Sequence, residues 1–198
     1  LDGSLKKDLV ASIADSIAVK PDNTVDMARL KAYFRNSSLQ MVSFTITETG
    51  YRLGKSTDDL FPLIQHDMEH KPCEAVHTMG ITAELLYERY QGGGAPLALV
   101  SLDNCTKNGA KLQQAILAIA SAWKQKGFVE DGFLKYLTDS RRIAFPWSMI
   151  DKITPMPASW VQKLLSVDGF SHLDIVRTEK GTVIAPFVNA EIPEYLVI

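Results

Sequence analysis

The sequence predicts an α/β fold with a doubly wound, mostly parallel sheet, additional helices and short strands. Strand-like and helix-like segments alternate between residues 8 and 126, an order typical of parallel sheets whose strands are connected by helices. The run PLALVSL, residues 96–102, is apolar almost throughout, as expected of a parallel strand that helices cover on both faces. These two patterns also place a ligand site, because open α/β sheets bind ligands beyond the carboxyl ends of their strands.

The first elements are predicted from hydropathy and turn residues. Residues 8–19 alternate partly and are rich in β-branched residues, which favours a strand. A helix follows from Thr24, its predicted N-cap, to about Phe34. A second strand covers residues 39–47, and two glycines make residues 48–54 a loop.

Prolines and glycines delimit the next elements. Pro62 and Pro72 break residues 56–72 into short helical pieces. The helix predicted over residues 73–91 ends at three consecutive glycines, which are common where helices stop. The third strand, residues 96–102, follows these glycines.

A long helix is predicted from about Gly109 to Lys126, directly after the third strand. Its apolar residues recur at intervals of four, three and four, which places them on one buried face. They are Leu112, Ile116, Ile119 and Trp123. The remaining sequence predicts a helix near residues 130–139, a strand at 141–145, a helix at 157–167, and strands at 173–178 and 182–188.

Composition argues against several classes of partner. A net charge of -2 speaks against a general affinity for nucleic acid or for an anionic membrane surface. No apolar run approaches the roughly 18 residues that span a bilayer. Two cysteines are too few for a disulfide framework, so we expect a reduced, cytoplasmic setting.

Asp103 and Asn104 end the third strand, at the sheet edge where ligands bind. A side-chain amide at that edge can donate a hydrogen bond to a substrate oxygen, or to an oxyanion as it forms. The alternative is that both residues cap the following helix and shape its turn, and position alone favours this alternative. Cys105, beside them, is interpreted as a small buried thiol rather than a reactive one.

Other motifs give weak indications. His66, Glu69 and His70 match the zinc-protease pattern H-x-x-E-H, but nearby prolines and the lack of a third ligand favour a solvated helix, so no metal is expected. No strand is followed by G-x-G-x-x-G, and no G-x-x-x-x-G-K-[ST] occurs. Asp151 is either an acceptor for a ribose or substrate hydroxyl or a turn residue paired with a neighbouring cation, and both interpretations stay open.

Four segments carry a joint signal: VSFTITETGY (42–51), LVSLDNCTKNG (99–109), FPWSMIDKITP (145–155) and VNAEIPEYLVI (188–198). Together they resemble the polyol-specific long-chain dehydrogenases, the mannitol dehydrogenase family. The family's usual forms of the first three look like SLTITEGGY, SCDNLPHNG and FPNSMVDRITP. The motifs stand in the family's order, and the similarity runs from about Asp8 to the last residue.

The resemblance implies a Rossmann-like fold, with residues 1–198 forming the second half of a nucleotide-binding domain. The glycine fingerprint is then expected upstream of Leu1, and a helical domain with the catalytic lysine downstream of Ile198. The resemblance also implies that Asn104 helps form an oxyanion hole over the reacting oxygen. It implies that Ile150 and Asp151 contact the NAD cofactor near its nicotinamide. Asp103 is left as a turn or cap residue.

The activity implied by the resemblance is that of an NAD-dependent oxidoreductase acting on a small sugar acid or polyol. The first expectation is interconversion of a keto-hexuronate and a hexonate, D-fructuronate and D-mannonate, by hydride transfer. The alternatives are the activities of mannitol 2-dehydrogenase and tagaturonate reductase, or a non-catalytic α/β binding or scaffold domain. The 198-residue chain alone is expected to be inactive, and uncovered sheet edges predict self-association.

Overall fold

The computed structural model describes residues 12–20, 23–56, 59–149, 156–179 and 181–188. The chain divides into two compact units, the first ending at Ser148 and the second beginning at Met149. The first unit contains the main sheet and the helices between Thr24 and Thr138, and the second contains the helix Ser159–Val167 and a two-stranded antiparallel sheet. No helix in the described ranges is long and apolar enough to cross a membrane.

The main sheet has three parallel strands in the order β1–β4–β5. They are β1 (Met41–Phe44), β4 (Leu97–Ser101) and β5 (Ile143–Ala144). Phe44 lies opposite Ser101, so β1 and β4 end at the same level and their following loops share one edge of the sheet. The predicted parallel α/β fold is therefore confirmed.

Helices and two short antiparallel pairs surround this sheet or follow it in the chain. The helices are α1 (Thr24–Arg35), α2 (Pro62–Glu69), α3 (Thr78–Gln91), α4 (Asn108–Gln125), α5 (Asp131–Thr138) and α6 (Ser159–Val167). The pairs are β2 (Gly54–Ser56) with β3 (Asp59–Leu60), and β6 (Val176–Arg177) with β7 (Val183–Ile184). Short 3₁₀ turns cover Glu48–Tyr51 and Pro72–Glu74.

Helix α4 lies at the centre of the first unit's core and packs against β4, α2 and α3. The predicted stripe is confirmed, since all four of its side chains are fully buried. The indole N–H of Trp123 donates to the carbonyl of Asp67 at 2.5 Å, which joins α4 to α2. Apolar burial and the hydrogen bond of Trp123 thus fix α4, the helix that follows Asp103 and Asn104.

A buried arginine holds the starts of two strands in place. Arg89 on α3 is 1% exposed, and its five N–H groups find five main-chain carbonyls at 2.7–2.9 Å. These carbonyls belong to Phe34, Asn36, Leu39, Ala95 and Pro96. The guanidinium therefore ties the end of α1 to the segments that lead into β1 and β4.

The predicted strand at residues 8–19 is wrong over its described part. Residues 12–19 have no regular structure, and residues 8–11 lie outside the described residues. Most side chains of this segment are exposed, Ile13 to 80%, so the partial alternation creates no apolar face to bury. Asp15 instead accepts a hydrogen bond from the Tyr33 hydroxyl at 2.8 Å, which places the segment against α1.

Two helix starts also differ from the prediction. The N-cap of α1 is Asn23 rather than Thr24, and its side chain accepts from the N–H of Asp26 at 3.2 Å. Helix α3 begins at Thr78 instead of residue 73, because a 3₁₀ turn occupies Pro72–Glu74. Hydropathy marks where a helix is apolar, whereas the first residue is set by the capping contacts.

Candidate functional site

The loops that follow β1, β4 and β5 meet at the carboxyl edge of the main sheet. Thr47, after β1, donates its N–H to the carboxylate of Asp103, after β4, at 2.9 Å. Asn108, the first residue of α4, donates to the carbonyl of Ser148, after β5, at 2.9 Å. This is the edge at which parallel sheets bind ligands, and we take it as the candidate site.

Asn104 lies at this edge, three residues after the end of β4, and is exposed. In the described part of the chain its side chain has no hydrogen-bond partner, so its amide N–H groups are available to a ligand. The oxyanion role stays a prediction that this position permits. Ile150 and Asp151, the other predicted site residues, lie outside the described residues.

Of the two alternatives for Asp103, a turn or a cap residue, the structure excludes the cap. The N-cap of α4 is Lys107, and no side chain caps the helix there. The carboxylate of Asp103 instead accepts from the N–H of Ile46 at 3.0 Å, from that of Thr47 at 2.9 Å, and from the hydroxyl of Tyr51. Asp103 therefore joins the loop after β4 to the loop after β1.

Tyr51 anchors this carboxylate to the sheet. It is 4% exposed, and its hydroxyl also lies 2.8 Å from the Ser101 hydroxyl at the end of β4. Burial, followed by the hydrogen bond to Asp103, raises the pKa of Tyr51 well above its ordinary value of 10.0. Tyr51 therefore stays a neutral hydrogen-bond donor to Asp103 at physiological pH.

Thr47 has a strained backbone. Its φ of 64° and ψ of 164° fall in a region that residues other than glycine rarely adopt. For a β-branched residue such a conformation costs about 1–3 kcal/mol and persists only where the surroundings hold it. Here the N–H of Thr47 bonds to Asp103, and its hydroxyl lies 2.9 Å from that of Thr49.

Asn108 joins the loop after β4 to the loop after β5. Its side chain is buried, and its amide donates to the carbonyl and hydroxyl of Ser148, each at 2.9 Å. The side-chain oxygen accepts from the N–H of Ser148 at 3.1 Å and from that of Gly109 at 2.8 Å. The amide also reaches the carbonyls of Ser101 and Asp103, at 3.3 and 3.2 Å.

Gly109 permits this close approach. A Cβ at this position would stand 2.6 Å from the carbonyl oxygens of both Phe145 and Pro146. Two main-chain oxygens cannot move aside as the end of a flexible side chain could. The first turn of α4 can therefore contact the loop after β5 only with a glycine here.

An ion pair borders the site. Glu48 and Lys111 lie 2.6 Å apart, and this contact with Lys111 holds the pKa of Glu48 below its usual range. They line a cavity of about 350 Å³ between the 3₁₀ turn and α4. The other lining residues are Tyr51, Arg52, Leu53, Gln114, Ala115 and Ala118.

The histidines of the H-x-x-E-H pattern contact each other. The rings of His66 and His70 stack with 4.2 Å between their centroids, and the Nδ1 of His70 lies 2.9 Å from the carbonyl of His66. Nowhere in the described ranges do three or more His, Cys, Asp or Glu side chains group to hold a metal. Cys105 is half-buried, where the sequence predicted a buried thiol.

Sequence reasoning missed the residues that fix the loops around Asn104, namely Tyr51, Ser101, Asn108 and Ser148. One signal was present: Ser101 is a polar residue inside an otherwise apolar strand run, and it is fully buried. A buried hydroxyl needs a partner, and its partner is the Tyr51 hydroxyl. Asn-Gly pairs are common in turns, so the pair at 108–109 gives no sequence signal for the contacts of the Asn108 side chain.

Comparison with known proteins adds family relationships. The family description "Mannitol dehydrogenase Rossmann domain" matches residues 6–186. The chain is 43% identical over 197 residues to D-mannonate oxidoreductase of Thermotoga maritima, covering 100% of this chain and 36% of that protein. It is 30% identical over 152 residues to mannitol dehydrogenase 2 of Saccharomyces cerevisiae, covering 75% of this chain and 29% of that protein.

A solved structure gives a similar result. It is the Pseudomonas fluorescens mannitol 2-dehydrogenase ternary complex with NAD and D-mannitol, to which this chain is 26% identical with a TM-score of 0.59. The match covers 86% of this chain and 32% of that one. This chain thus spans about a third of the length of the relatives it matches.

Proposed function

The chain belongs to the mannitol dehydrogenase family, and from that premise we propose that the whole protein is an NAD-dependent oxidoreductase. The proposed reaction interconverts D-fructuronate, a keto-hexuronate, and D-mannonate, a hexonate, by hydride transfer. The observation that carries this choice is the 43% identity over the full chain to a D-mannonate oxidoreductase. Identity to a yeast mannitol dehydrogenase is 30% over three quarters of the chain.

The described residues fit the reacting end of the proposed site. An exposed amide without a partner among the described residues stands at the carboxyl edge of a parallel sheet, and the loops on both sides of it are fixed by hydrogen bonds. NAD, when bound, supplies or accepts the hydride. We propose Ile150 and Asp151 as its contacts near the nicotinamide, on the strength of the FPWSMIDKITP segment.

Asn104 stabilises negative charge on the substrate in this proposal. Its amide donates a hydrogen bond to the keto oxygen of the bound hexuronate. When the carbonyl carbon is reduced, that oxygen gains negative charge, and the hydrogen bond to it strengthens. Hydrogen bonds of Asp103 and Asn108 fix the backbone on both sides of Asn104, which limits the reorganisation needed as the charge develops.

We further propose that residues 1–198 form the second half of the nucleotide-binding domain. The glycine fingerprint and the proton-donating lysine then belong to other parts of the whole protein. The chain's share of about a third of its relatives' length supports this assignment. Within this share, the chain contributes Asn104 and the two hydrogen-bonded loops that flank it.

A substrate panel with the full-length protein tests the proposal. NADH oxidation is measured with D-fructuronate, D-tagaturonate and D-fructose, and NAD reduction with D-mannonate and D-mannitol. We expect the highest kcat/KM with D-fructuronate and D-mannonate, since D-fructose and D-mannitol lack the carboxylate. A higher kcat/KM for D-fructose indicates a mannitol dehydrogenase, and no turnover with any substrate contradicts the oxidoreductase assignment.

A further inference from the structure

We propose that Asp103 is a positioning residue for the reaction at Asn104. Its carboxylate holds Thr47 in a strained backbone conformation and so fixes the loop after β1 beside Asn104. The catalytic part of this inference rests on the proposed function. The structural part, that Asp103 holds this loop, stands independently of any substrate.

The two carboxylate oxygens of Asp103 divide three donors between them. Oδ1 accepts from the N–H of Thr47 at 2.9 Å, and Oδ2 accepts from the N–H of Ile46 at 3.0 Å and from the hydroxyl of Tyr51. Hydrogen bonds to an ionised carboxylate are stronger than those between neutral groups. Three such bonds, from one strand end and one buried tyrosine, leave the loop little freedom.

The geometry of Thr47 shows what these bonds accomplish. With φ at 64° and ψ at 164°, a β-branched residue is held where glycine is normally required. A relaxed Thr47 would turn the following residues, beginning with Glu48, in another direction. Glu48 starts the 3₁₀ turn that carries Tyr51, so the strained peptide also sets the approach of Tyr51 to Asp103.

Asp103 and Asn104 are consecutive, which couples the two sides of the site. The carboxylate that fixes the loop after β1 belongs to the residue directly before the proposed oxyanion donor. If the carboxylate is lost, the loop relaxes and the backbone that carries the Asn104 amide loses its attachment to β1. Reaction rates are sensitive to this, since a displacement of 1 Å can lower a rate about 10²-fold.

The test uses Asp103→Asn, Thr47→Gly and the double variant in the full-length protein. In Asp103→Asn an amide NH₂ replaces one acceptor oxygen and faces an N–H or O–H donor. We expect faster hydrogen–deuterium exchange in residues 44–51 and a loss of about 10²-fold in kcat, with a smaller change in KM. Asp131→Asn, at an exposed side chain on α5, is the matched control. It leaves the exchange at residues 44–51 and the kcat unchanged.

The double variant separates positioning from a general loss of structure. Glycine adopts positive φ without strain, so adding Thr47→Gly to Asp103→Asn restores part of the lost kcat. Unchanged exchange at residues 44–51 in Asp103→Asn overturns the inference whatever the substrate. Faster exchange with an unchanged kcat, or a kcat loss that Thr47→Gly does not reduce, also overturns it. A wild-type protein without turnover contradicts the proposed function alone, because exchange still decides whether Asp103 holds the loop.

Discussion

Asp103 and Asn104 are neighbours in the chain with opposite surroundings. The carboxylate of Asp103 accepts three hydrogen bonds, whereas the amide of Asn104 has none within the described residues. A polar side chain that is held contributes structure, and one that is exposed and unpaired is available to a ligand. The pair thus combines a fixed residue with a free donor at the carboxyl edge of the sheet.

Asn104→Ala removes the proposed oxyanion donor from the full-length protein. We expect kcat to fall about 10²–10³-fold, because the amide acts on charge that develops in the transition state. Steady-state kinetics with the preferred substrate of the panel measure this loss. Thr106→Ala, exposed in the same loop, is the control and keeps the wild-type kcat. An unchanged kcat in Asn104→Ala contradicts the oxyanion role.

Arg89→Lys tests the buried guanidinium. Lysine has three donors without the planar fork, so at least two of the five carbonyls lose their partner. We expect the free energy of unfolding to fall by about 2–4 kcal/mol, measured by urea denaturation. Arg141→Lys, at a side chain 88% exposed, should change it by less than about 0.5 kcal/mol. Equal effects of the two substitutions would contradict the proposed role of Arg89.

Side-chain contacts between residues far apart in the chain could not be predicted from the sequence. The buried stripe of α4, ending at Trp123, could be predicted because its signal is a local periodicity. The three hydrogen bonds of the Asp103 carboxylate instead span 52, 56 and 57 residues, and those of Asn108 to Ser148 span 40. No local pattern encodes such partners. The position of Asn104 at a strand end could be predicted, but not the contacts that support it.

At the scale of elements, the start of α3 depends on a neutral histidine. The Nδ1 of His77 accepts from the N–H of Met79 at 3.1 Å, which only an unprotonated nitrogen can do. Burial lowers the pKa of His77 below its ordinary value of 6.5, although the charge of Asp67 opposes this shift. The carboxylate of Asp67 adds to the cap by accepting from the N–H of His77 at 2.9 Å.

His77 should therefore make stability depend on pH. Because its pKa is lower in the folded state, the unfolded chain binds more protons below pH 6.5. Its contribution is present above that pH and is lost as the pH falls through the lowered folded-state pKa. His77→Asn keeps a capping oxygen but cannot titrate, so denaturation curves at several pH values should show a smaller loss on acidification. Parallel pH profiles for both proteins would exclude this role of His77.

Gly109→Ala tests the contact between α4 and the loop after β5. The new Cβ would approach the carbonyl oxygens of Phe145 and Pro146 to 2.6 Å, so the helix start and the loop must separate. We expect a loss of about 1–3 kcal/mol in the free energy of unfolding, as for other overpacked sites. Separation also weakens the bonds of Asn108 to Ser148, so exchange near Ser148 should accelerate. An unchanged free energy of unfolding would mean that the loop after β5 moves away from the new Cβ without an energetic penalty.

At the scale of the whole molecule, the chain contains one edge of a ligand site but lacks the glycine motif that binds a dinucleotide's phosphates. The described strands of the main sheet are β1, β4 and β5, and the candidate site lies where their loops meet. No G-x-G-x-x-G follows a strand in the 198 residues. Affinity for a dinucleotide depends strongly on the pyrophosphate held by such a motif. In the proposed cofactor site, the residues near the nicotinamide and the motif that holds the pyrophosphate thus belong to separable parts of the protein.

This separation predicts how the 198-residue chain behaves apart from the full-length protein. We expect calorimetry with NADH to show weak or undetectable binding to the 198-residue chain and clear binding to the full-length protein. The 198 residues contain no G-x-G-x-x-G to hold the pyrophosphate, and the proposed contacts Ile150 and Asp151 serve only the nicotinamide end. Among the described strands, β1 and β5 are the outer strands of the main sheet, and in the isolated chain their outer edges should promote self-association, which light scattering measures. Micromolar binding of NADH by the 198-residue chain would show that its own residues hold the cofactor, and would contradict its assignment to the second half of the nucleotide-binding domain.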